Sequence, residues 1–197
     1  MKVTAGALLT LLGGAAAAGS YNATSGSDTT CVCTTVPCPV SGDNYLTEGG
    51  GSTGTYNYIM NADGIALVSA VSVTITPADL DQGTETTSCT QAYSRSMDDD
   101  GVEDCDAGHI LAHRLGGPGN QPINIFPQSL GVNRGAFAQF EGDIYECVAE
   151  GASSASLSWS FEYSSTERTK PDTVTYTAKF TGGSCETLSE VFDNTAR

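Results

Sequence analysis

Positive charge is scarce in this sequence. Its 197 residues include 8 Lys and Arg against 23 Asp and Glu, which gives a formal net charge of −15. Repulsion of this size slows the approach of polyanions, so composition alone argues against a nucleic-acid partner. Histidine is scarcer still, and the two histidines, His109 and His113, lie in one short segment rich in Pro, Gly and Asn. That segment is therefore the first place to look for chemistry.

Long apolar runs are absent from the sequence beyond its N-terminal segment. Residues 1–18 have one lysine, an apolar run and an Ala-rich end, which is the pattern of a cleaved secretory signal peptide. The run is shorter than the about 20 residues that span a bilayer, and no later segment qualifies. We therefore expect the mature protein to be soluble, secreted to the extracellular space and without membrane contact.

Cysteine, in contrast, is frequent. The seven cysteines are Cys31, Cys33, Cys38, Cys89, Cys105, Cys147 and Cys185. The oxidising export route favours disulfide bonds between them. Because seven is odd, at least one thiol is left over or pairs with another chain, and the sequence does not fix the pairing. A zinc site at 31–38 lacks a second ligand pair nearby, so disulfides are favoured there.

The length suits a single domain. Residues 19–54 are polar, contain three cysteines and end in a Gly/Ser/Thr-rich stretch, which predicts an N-terminal tail followed by a flexible linker. The remaining residues, 55–197, are enough for one core and too few for two. We therefore expect one folded domain at 55–197.

Alternating apolar residues predict β-strands. The stretches 56–60 and 65–75 flank an Asn-Ala-Asp-Gly turn, which is typical of a β-hairpin. In the second stretch, Leu67, Val71 and Val73 lie on the same face of the predicted strand. Two further alternating stretches, 157–163 and 174–180, predict two more strands.

A different period follows Gly131. Apolar residues recur at spacings of three and four from Phe137 to Val148, which predicts one long helix that stops near Gly151. Strands that flank one helix form an α+β domain with a mostly antiparallel sheet. This is the fold class that we expect.

Polar residues near the histidines form a pattern that can surround a metal ion. His109 ends an Asp-Ala-Gly-His stretch, Asn124 begins Asn-Ile-Phe-Pro-Gln, and Asn133 lies near the start of the predicted helix. Glu141 follows Asn133 by about two helical turns, so both side chains can lean toward the strand that carries His109. A helix that faces this strand can enclose one cation.

The order of these motifs resembles the DNA/RNA non-specific endonucleases with a ββα-metal, or His-Me finger, active site. The shared stretches are Asp-x-Gly-His, then Asn-Ile-x-Pro-Gln, then Asn-x-Gly-Ala-x-Ala-x-x-Glu, all between Asp106 and Glu141. The flanking strands match loosely. The resemblance implies a ββα-metal core within the α+β fold, and DNA and RNA as substrates.

The resemblance also implies roles for single residues. His109 is then the general base, and Asn133 is the direct protein ligand of Mg²⁺, with Mn²⁺ or Ca²⁺ as alternatives. Asp106 would hold the motif strand in place, and Glu141 would hydrogen-bond the water shell of the ion. The supporting polar shell also includes Asn124 and Gln128. These roles suit phosphodiester hydrolysis, which needs an activated water and positive charge beside the leaving oxygen.

One position departs from the best-known members, which carry arginine where this chain has Ala107. It matches a branch whose motif reads Asp-Ala-Gly-His and is followed by Gly-Gly-Pro, as at 116–118 here. A replacement cation must then come from elsewhere, and Arg134, beside the expected metal ligand, is our first choice. The other candidates for substrate contact are Arg95, Arg114, Gln128 and His113.

Two neighbouring features suggest other chemistry less strongly. The acidic stretch 97–106 fits a calcium-binding loop only in part, because Ser96 and Ala107 stand at its first and last ligand positions, so a solvated loop is favoured. Cys105 lacks the Cys-His-Asn pattern of thiol hydrolases around it, so a structural role is favoured over a nucleophilic one.

We therefore expect a secreted, Mg²⁺-dependent endonuclease that hydrolyses DNA and RNA, with no protein partner. Two alternatives remain. One is a catalytically inert secreted binding module on the same fold, which the missing arginine and the net charge of −15 favour mildly. The other is a metal-dependent phosphodiesterase limited to one nucleic acid or to small substrates.

Overall fold

The computed structural model describes residues 33, 36–97 and 105–195. The expected signal peptide at 1–18, Cys31 and the acidic residues 98–104 lie outside them. Within the described part, no helix is long and apolar enough to cross a membrane.

Six strands of the described chain form one antiparallel sheet, in the order β1-β2-β3-β6-β7-β8. The strands are β1 (Gly42–Thr47), β2 (Thr53–Met60), β3 (Ala66–Ile75), β6 (Ser154–Glu162), β7 (Thr173–Thr181) and β8 (Leu188–Asp193). Neighbours in the sheet are also neighbours in the chain, except where β3 pairs with β6. The long segment between these two strands carries the predicted site.

That segment contains one helix, a two-stranded ribbon and a second helical region. Helix α1 (Ser88–Ser96) comes first, followed by the antiparallel pair of β4 (Cys105–His109) and β5 (Ile125–Ser129). The helical region follows β5 directly and spans 130–149. A ribbon followed by a helix is the ββα arrangement that the family resemblance implied.

The helical region is irregular where it begins. Helix α2 (Leu130–Val132) passes into a π-helical turn (Asn133–Phe137), and helix α3 (Ala138–Ala149) follows. Gly135 has φ −113° and ψ −110°, which lies outside the helical range and kinks the backbone. Interruptions of this kind are frequent at functional sites. The buried residues of α3 are Phe140, Glu141, Ile144 and Val148. The predicted long helix is therefore confirmed.

The core lies between the sheet and this helical region. On β6 the alternation is strict, since the buried residues Ala155, Leu157, Trp159 and Phe161 have exposed neighbours. The rings of Trp159 and Tyr176 lie 4.3 Å apart, and that of Phe140 on α3 lies 4.9 Å from Tyr176. Removing an aromatic side chain from such a core typically costs about 3–5 kcal/mol. The same core holds the helical region, and with it Asn133, against the sheet.

The stretch predicted as a flexible linker is ordered instead. It forms the turn between β1 and β2, where the Ser52 hydroxyl donates to Asp79 Oδ2 (2.8 Å) and the Glu48 N–H donates to Ser52 O (2.7 Å). The sheet therefore begins at Gly42, inside the expected tail at 19–54. Composition suggested flexibility because it does not reveal the cross-strand pairing that orders the glycines.

The predicted hairpin of β2 and β3 is confirmed, with one register shift at Asn57/Tyr58. The shift changes which residues of β3 face the core. Ala66 and Val68 join the core cluster, whereas Leu67, expected on the same face as Val71, is buried but lies outside that cluster. An extra residue in one strand reverses the alternation of side chains beyond it, and strict alternation in the sequence does not show this.

Disulfides tie distant segments together, as the cysteine content predicted. Cys33 bonds to Cys89 on α1, and Cys147 on α3 bonds to Cys185 in the loop before β8. Cys38 is disulfide-bonded as well. Cys105 is a thiol on β4, with its Sγ 3.8 Å from Ser94 Oγ of α1.

Candidate active site

An open cavity of about 390 Å³ lies where α1, β4 and the π-helical turn meet. Five residues predicted for the site line it: Arg95, Asp106, His109, Asn133 and Arg134. The other lining residues are Glu85, Thr86, Gln91, Cys105 and Ala107. The fold thus brings the expected base, the expected metal ligand and two cations to one surface.

Asp106 organises one wall of the cavity. Its Oδ2 accepts hydrogen bonds from Asn133 Nδ2 (2.8 Å) and Arg134 Nε (2.8 Å), and its Oδ1 accepts one from Arg134 Nη2 (2.7 Å). Partial burial would raise the pKa of Asp106, but the bonds from Arg134 and Asn133 hold that pKa below its usual value. The ionised carboxylate therefore orients both side chains, in addition to its expected role on the motif strand.

The ring of His109 is oriented by backbone groups. Its Nε2 lies 3.0 Å from the carbonyl oxygen of Thr84. Because a carbonyl only accepts, Nε2 carries the hydrogen, and the neutral ring keeps its lone pair on Nδ1. A Cβ at Gly119 would collide with Nε2, so a residue without a side chain is required beside the ring.

The surroundings of His109 favour the neutral ring. Burial is the main cause that lowers the pKa of His109 below its ordinary value, and nearby His113 adds to the effect, while the bond to Thr84 and the charge of Glu85 oppose it. The two imidazole rings lie 6.1 Å apart, and His113 Nε2 is 3.7 Å from Glu85 Oε1. A neutral imidazole is the form that accepts a proton.

Asn124 is buried and holds the loop that follows His109. Its Oδ1 accepts from the Leu111 N–H (2.9 Å), and its Nδ2 donates to the Leu111 carbonyl (3.0 Å). Its own carbonyl accepts from the Ile110 N–H (2.8 Å). The side chain therefore supports the backbone of the site and lies apart from the described cavity lining.

Four other predicted residues are also not among the described residues that line the cavity: Gln128, Glu141, Arg114 and His113. Gln128 is buried and packs against Gly108. Glu141 is buried on α3, where desolvation raises its pKa to about 8 and the charge of Arg114 opposes this rise. Tyr176 also lies near Glu141. The charge of Arg114, which the sequence suggested for substrate contact, thus acts on Glu141 and on Tyr145 of the same helix.

The cavity is balanced in charge although the chain is acidic. Among its described lining residues, Arg95 and Arg134 offset Glu85 and Asp106 when the histidine is neutral. The net charge of −15 is thus carried by other parts of the molecule. Local charge decides whether a cleft admits an anion, so the cavity should repel phosphate less than the net charge of the chain suggests.

The side chains at the cavity suit a hard cation held mainly by water. In the described part of the chain, no three His, Cys, Asp or Glu residues cluster closely enough to hold a metal ion. Asn133 turns its amide nitrogen to Asp106, which leaves its amide oxygen as a ligand atom. Mg²⁺ binds oxygen ligands and keeps several waters, so a single amide oxygen fits this ion.

A comparison with protein families decides the class. The sequence profile of the DNA/RNA non-specific endonucleases matches residues 50–182. The chain belongs to the DNA/RNA non-specific endonuclease family. The match contains β2 to β7 and all the residues that line the cavity. The resemblance noted in the sequence and the predicted class of enzyme, an endonuclease, are thereby confirmed at the level of the family.

One similar sequence and one similar structure are known for this endonuclease domain among others. The probable deoxyribonuclease RhsA of Dickeya dadantii (strain 3937) is 32% identical over 109 residues, which are 55% of this chain and 7% of that protein. The chain thus matches a small part of the length of that relative. NucA from Streptococcus agalactiae, crystallised with a magnesium ion bound, has a TM-score of 0.50 and 11% identity over 78% of this chain and 85% of its own. This likeness confirms the predicted α+β fold.

The wall that α1 contributes to this endonuclease domain was not predicted. The sequence signal is weak, because Thr90 stands where a capping box usually has Glu or Gln; in the structure, the Thr90 N–H donates to Thr87 Oγ1 (3.3 Å), and the Thr87 N–H donates to Thr90 Oγ1 (2.9 Å). A helix that starts there places Gln91 and Arg95 on one face. Both side chains line the cavity.

Proposed function

We propose that this domain hydrolyses phosphodiester bonds within DNA and RNA, with His109 as the general base. The observation that carries the proposal is the His109 ring, which is tied through Nε2 to the Thr84 carbonyl at the cavity that Asn133 and Arg134 also line. Family membership supports the endonuclease class. The description of the Dickeya relative as a probable deoxyribonuclease supports DNA as a substrate.

In the proposed reaction, His109 Nδ1 takes a proton from a water molecule as the water oxygen bonds to phosphorus. The bond between phosphorus and the leaving oxygen breaks on the opposite side, and that oxygen gains a proton from solvent. General base catalysis of this kind contributes typically about 10²–10⁴ in rate. The low pKa of His109 suits this role, because the ring is already neutral at neutral pH.

Asn133 holds the cation in this proposal. Its Nδ2 donates to Asp106, so its Oδ1 is the atom that can bind Mg²⁺, with Mn²⁺ or Ca²⁺ as alternatives. When bound, such an ion stabilises the negative charge that develops on the phosphate and the leaving oxygen. The magnesium ion named for NucA, which shares the fold, supports this choice.

Arg134 supplies the positive charge that is missing because this chain has Ala107 where the best-known family members have arginine. Of its five N–H donors, two bond Asp106, so other donors can reach a phosphate oxygen. Its side chain is 67% exposed, which leaves it accessible to a large substrate. Arg95, on the α1 side of the same cavity, is the second candidate.

Replacing Arg134 with alanine should weaken nucleic-acid binding and reduce its salt dependence. One lost phosphate contact lowers the magnitude of the slope of log K against log salt by about 0.9 for duplex DNA. Fluorescence anisotropy of a labelled duplex, in a His109→Ala background that prevents cleavage, measures both. Arg168→Ala is the matched control, since Arg168 pairs with Asp172 (3.1 Å) outside the cavity. Identical slopes in the two variants would exclude the Arg134 contact.

On the acidic side of the pH–rate profile, the cleavage rate should rise with pH. The midpoint of this rise should lie below the ordinary histidine pKa of about 6.5. Burial lowers the pKa of His109, so the ring loses its proton at a more acidic pH than a solvated imidazole does. Below that pKa the protonated ring cannot accept a proton from water, and the rate falls. Measuring kcat/KM against pH with a short labelled substrate checks this. An acidic limb that lies above about pH 6.5, or the absence of an acidic limb, would contradict the base assignment.

Incubation with plasmid DNA and with total RNA, each in Mg²⁺ or in EDTA, tests the proposal as a whole. Cleavage of both in Mg²⁺ and of neither in EDTA is the expected result. Cleavage of one nucleic acid alone would point to the restricted phosphodiesterase. Binding without cleavage would point to the inert module, which Ala107 and the net charge of −15 mildly favour.

Secretion is also part of the proposal. The disulfides Cys33–Cys89 and Cys147–Cys185 suit an oxidising compartment. The apolar N-terminus at 1–18 has the pattern of an export signal. Mass spectrometry of the medium of expressing cells should find the chain shortened by about this segment, and a full-length chain retained in cells would contradict secretion.

A further inference from the structure

We propose that Glu48 is a neutral carboxylic acid in the folded protein and is a positioning residue for His109, acting through Tyr56 and Asn124. The proposal rests on the proposed function, because positioning has a catalytic effect only if His109 is the base. Its starting point is a buried chain of hydrogen bonds on the sheet side of the site.

Tyr56 stands in the middle of this chain. Its Oη lies 2.9 Å from Glu48 Oε1 and 3.0 Å from Asn124 Oδ1. Glu48 is 3% exposed, and Tyr56 and Asn124 are fully buried. The three side chains must therefore satisfy each other, because bulk water does not reach them.

The hydrogens in this chain can be counted. The orientation of the Asn124 amide is fixed, because the Leu111 N–H needs an acceptor and the Leu111 carbonyl needs a donor. An acceptor, Asn124 Oδ1, therefore faces the Tyr56 hydroxyl. Tyr56 has one hydrogen and two oxygen neighbours, so an ionised Glu48 would leave one contact without a hydrogen. A protonated Glu48 donates to Tyr56, Tyr56 donates to Asn124, and both contacts are satisfied.

The surroundings of Glu48 favour the neutral form as well. In the described part of the chain, no donor reaches Glu48 Oε2. A carboxylate oxygen without a donor is far more costly to bury than a neutral carbonyl oxygen. Burial is the main cause that raises the pKa of Glu48 to about 8; a hydrogen bond from Tyr56 opposes the rise, and the charge of Asp79 adds to it.

The chain ends on the backbone that follows His109. Asn124 holds both polar groups of Leu111, and its carbonyl accepts from the Ile110 N–H. A Cβ at Gly117 would collide with the Leu111 carbonyl, so the backbone is closely packed at this point. A change in how Asn124 is held is therefore passed to the end of β4, where the His109 ring is attached.

Ionisation of Glu48 should break the chain at its centre. The Tyr56 hydrogen would turn to the new carboxylate, and Asn124 Oδ1 would lose one of its two donors and keep only the Leu111 N–H. The other titratable groups that face Tyr56 are Tyr58 and Tyr176, and burial raises the pKa of each far above its ordinary value. Near Glu48, hydrogen bonds from Thr76 and Ser52 hold the pKa of Asp79 below its usual value although burial opposes them. Of the groups around Tyr56, Glu48 is thus the one whose pKa lies near 8.

Glu48→Gln tests the proposal, because its amide can donate to Tyr56 as a protonated acid does and does not titrate. With a pKa of about 8, the wild-type kcat should fall about tenfold between about pH 7 and pH 9 as Glu48 ionises. Glu48→Gln should keep the neutral-pH rate and lose this alkaline fall. Glu190→Gln, the same change at an exposed position of β8, should keep the fall. Tyr56→Phe, which removes the central hydroxyl, should lower kcat at every pH. An unchanged alkaline fall in Glu48→Gln would overturn the proposal.

Two measurements decide the structural claim without any activity. At about pH 7, an infrared spectrum should show a carbonyl stretch of a protonated carboxyl that is weaker in Glu48→Gln. Above about pH 8, amide hydrogen exchange at Ile110 and Leu111 should accelerate in wild type and not in the variant. Identical spectra and exchange rates in the two proteins would refute a neutral Glu48. If neither protein cleaves nucleic acid while these differences appear, the proposed function fails and the neutral carboxyl chain stands.

The stability of the fold gives a further check of sign. Between the ordinary carboxyl pKa of 4.5 and about 8, the folded protein keeps a proton on Glu48 that the unfolded chain has released. The free energy of unfolding should therefore fall as pH rises through this window. Glu48→Gln should make this fall shallower, and Glu141, whose pKa is also raised to about 8, accounts for a fall that remains. An equal slope in wild type and Glu48→Gln would contradict the neutral carboxyl.

Discussion

Replacing His109 with alanine should lower the rate of phosphodiester cleavage by about 10²–10⁴ while the protein stays folded. The variant loses the Nδ1 lone pair, which no other side chain of the described cavity lining replaces as an imidazole. The fold should survive because the hydrogen bond of the ring to the Thr84 carbonyl is its one close polar contact with the backbone among the described residues. Single-turnover cleavage of plasmid DNA measures the loss, and circular dichroism confirms the fold.

The neighbouring histidine provides the matched control. His113 lies 6.1 Å from His109, and its side chain is 48% exposed beside Glu85. His113→Ala makes the same chemical change at nearly the same place, so its effect on cleavage should be far smaller than that of His109→Ala. Comparable losses in the two variants would mean that His109 has no special role as a base.

The family resemblance, which rests on the order of three short motifs, implied the ββα unit that the structure shows. The Asp-Ala-Gly-His stretch became β4, the Asn-Ile-Phe-Pro-Gln stretch led into β5, and the period after Gly131 became the helical region. These features are local, because a strand or a helix is specified by residues near each other in the chain. The resemblance that these motifs carry named the cavity residues Asp106, His109 and Asn133 together.

Side-chain direction was predicted less well, because it depends on contacts between distant segments. Arg114 is adjacent to the motif in sequence, yet it is not among the described residues that line the cavity, and its charge acts on Glu141 of α3. Asn124 belongs to the motif, yet its amide is used by the Leu111 backbone. Period and spacing do not state which neighbour a polar side chain meets once the sheet and helices have packed.

The interior acids were also missed for a physical reason. Glu48 lies in a glycine-rich stretch that looked like a solvated linker, and nothing in its neighbourhood marks it as buried. Its burial follows from the pairing of β1 with β2, which places it beside Tyr56. A buried carboxyl becomes visible only when the long-range contacts that desolvate it are known.

Asn133→Ala should raise the Mg²⁺ concentration required for cleavage and lower the maximal rate. The substitution removes the amide oxygen proposed as the ligand and the amide nitrogen that donates to Asp106. A tenfold loss of Mg²⁺ affinity corresponds to about 1.4 kcal/mol, and the loss of a direct ligand should weaken binding by more than this. Titration of the cleavage rate with Mg²⁺, together with calorimetry of Mg²⁺ binding, measures the effect. Asn57→Ala is the matched control, since Asn57 Nδ2 donates to Asp43 Oδ1 (2.9 Å) outside the cavity.

Asp106 allows the ligand role of Asn133 to be separated from a structural one. Suppose that Asp106 acts on the ion by orienting the Asn133 amide. Asp106→Ala should then weaken Mg²⁺ binding by about 10–100-fold, as changes to groups that orient metal ligands typically do. In an Asn133→Ala background the same change should weaken Mg²⁺ no further, because no amide is left to orient. It should still weaken nucleic-acid binding there, since Asp106 also holds Arg134 through two hydrogen bonds. Additive losses of Mg²⁺ affinity in the double variant would mean that the two residues act on the ion independently, and that the amide of Asn133 is not the ligand that Asp106 positions.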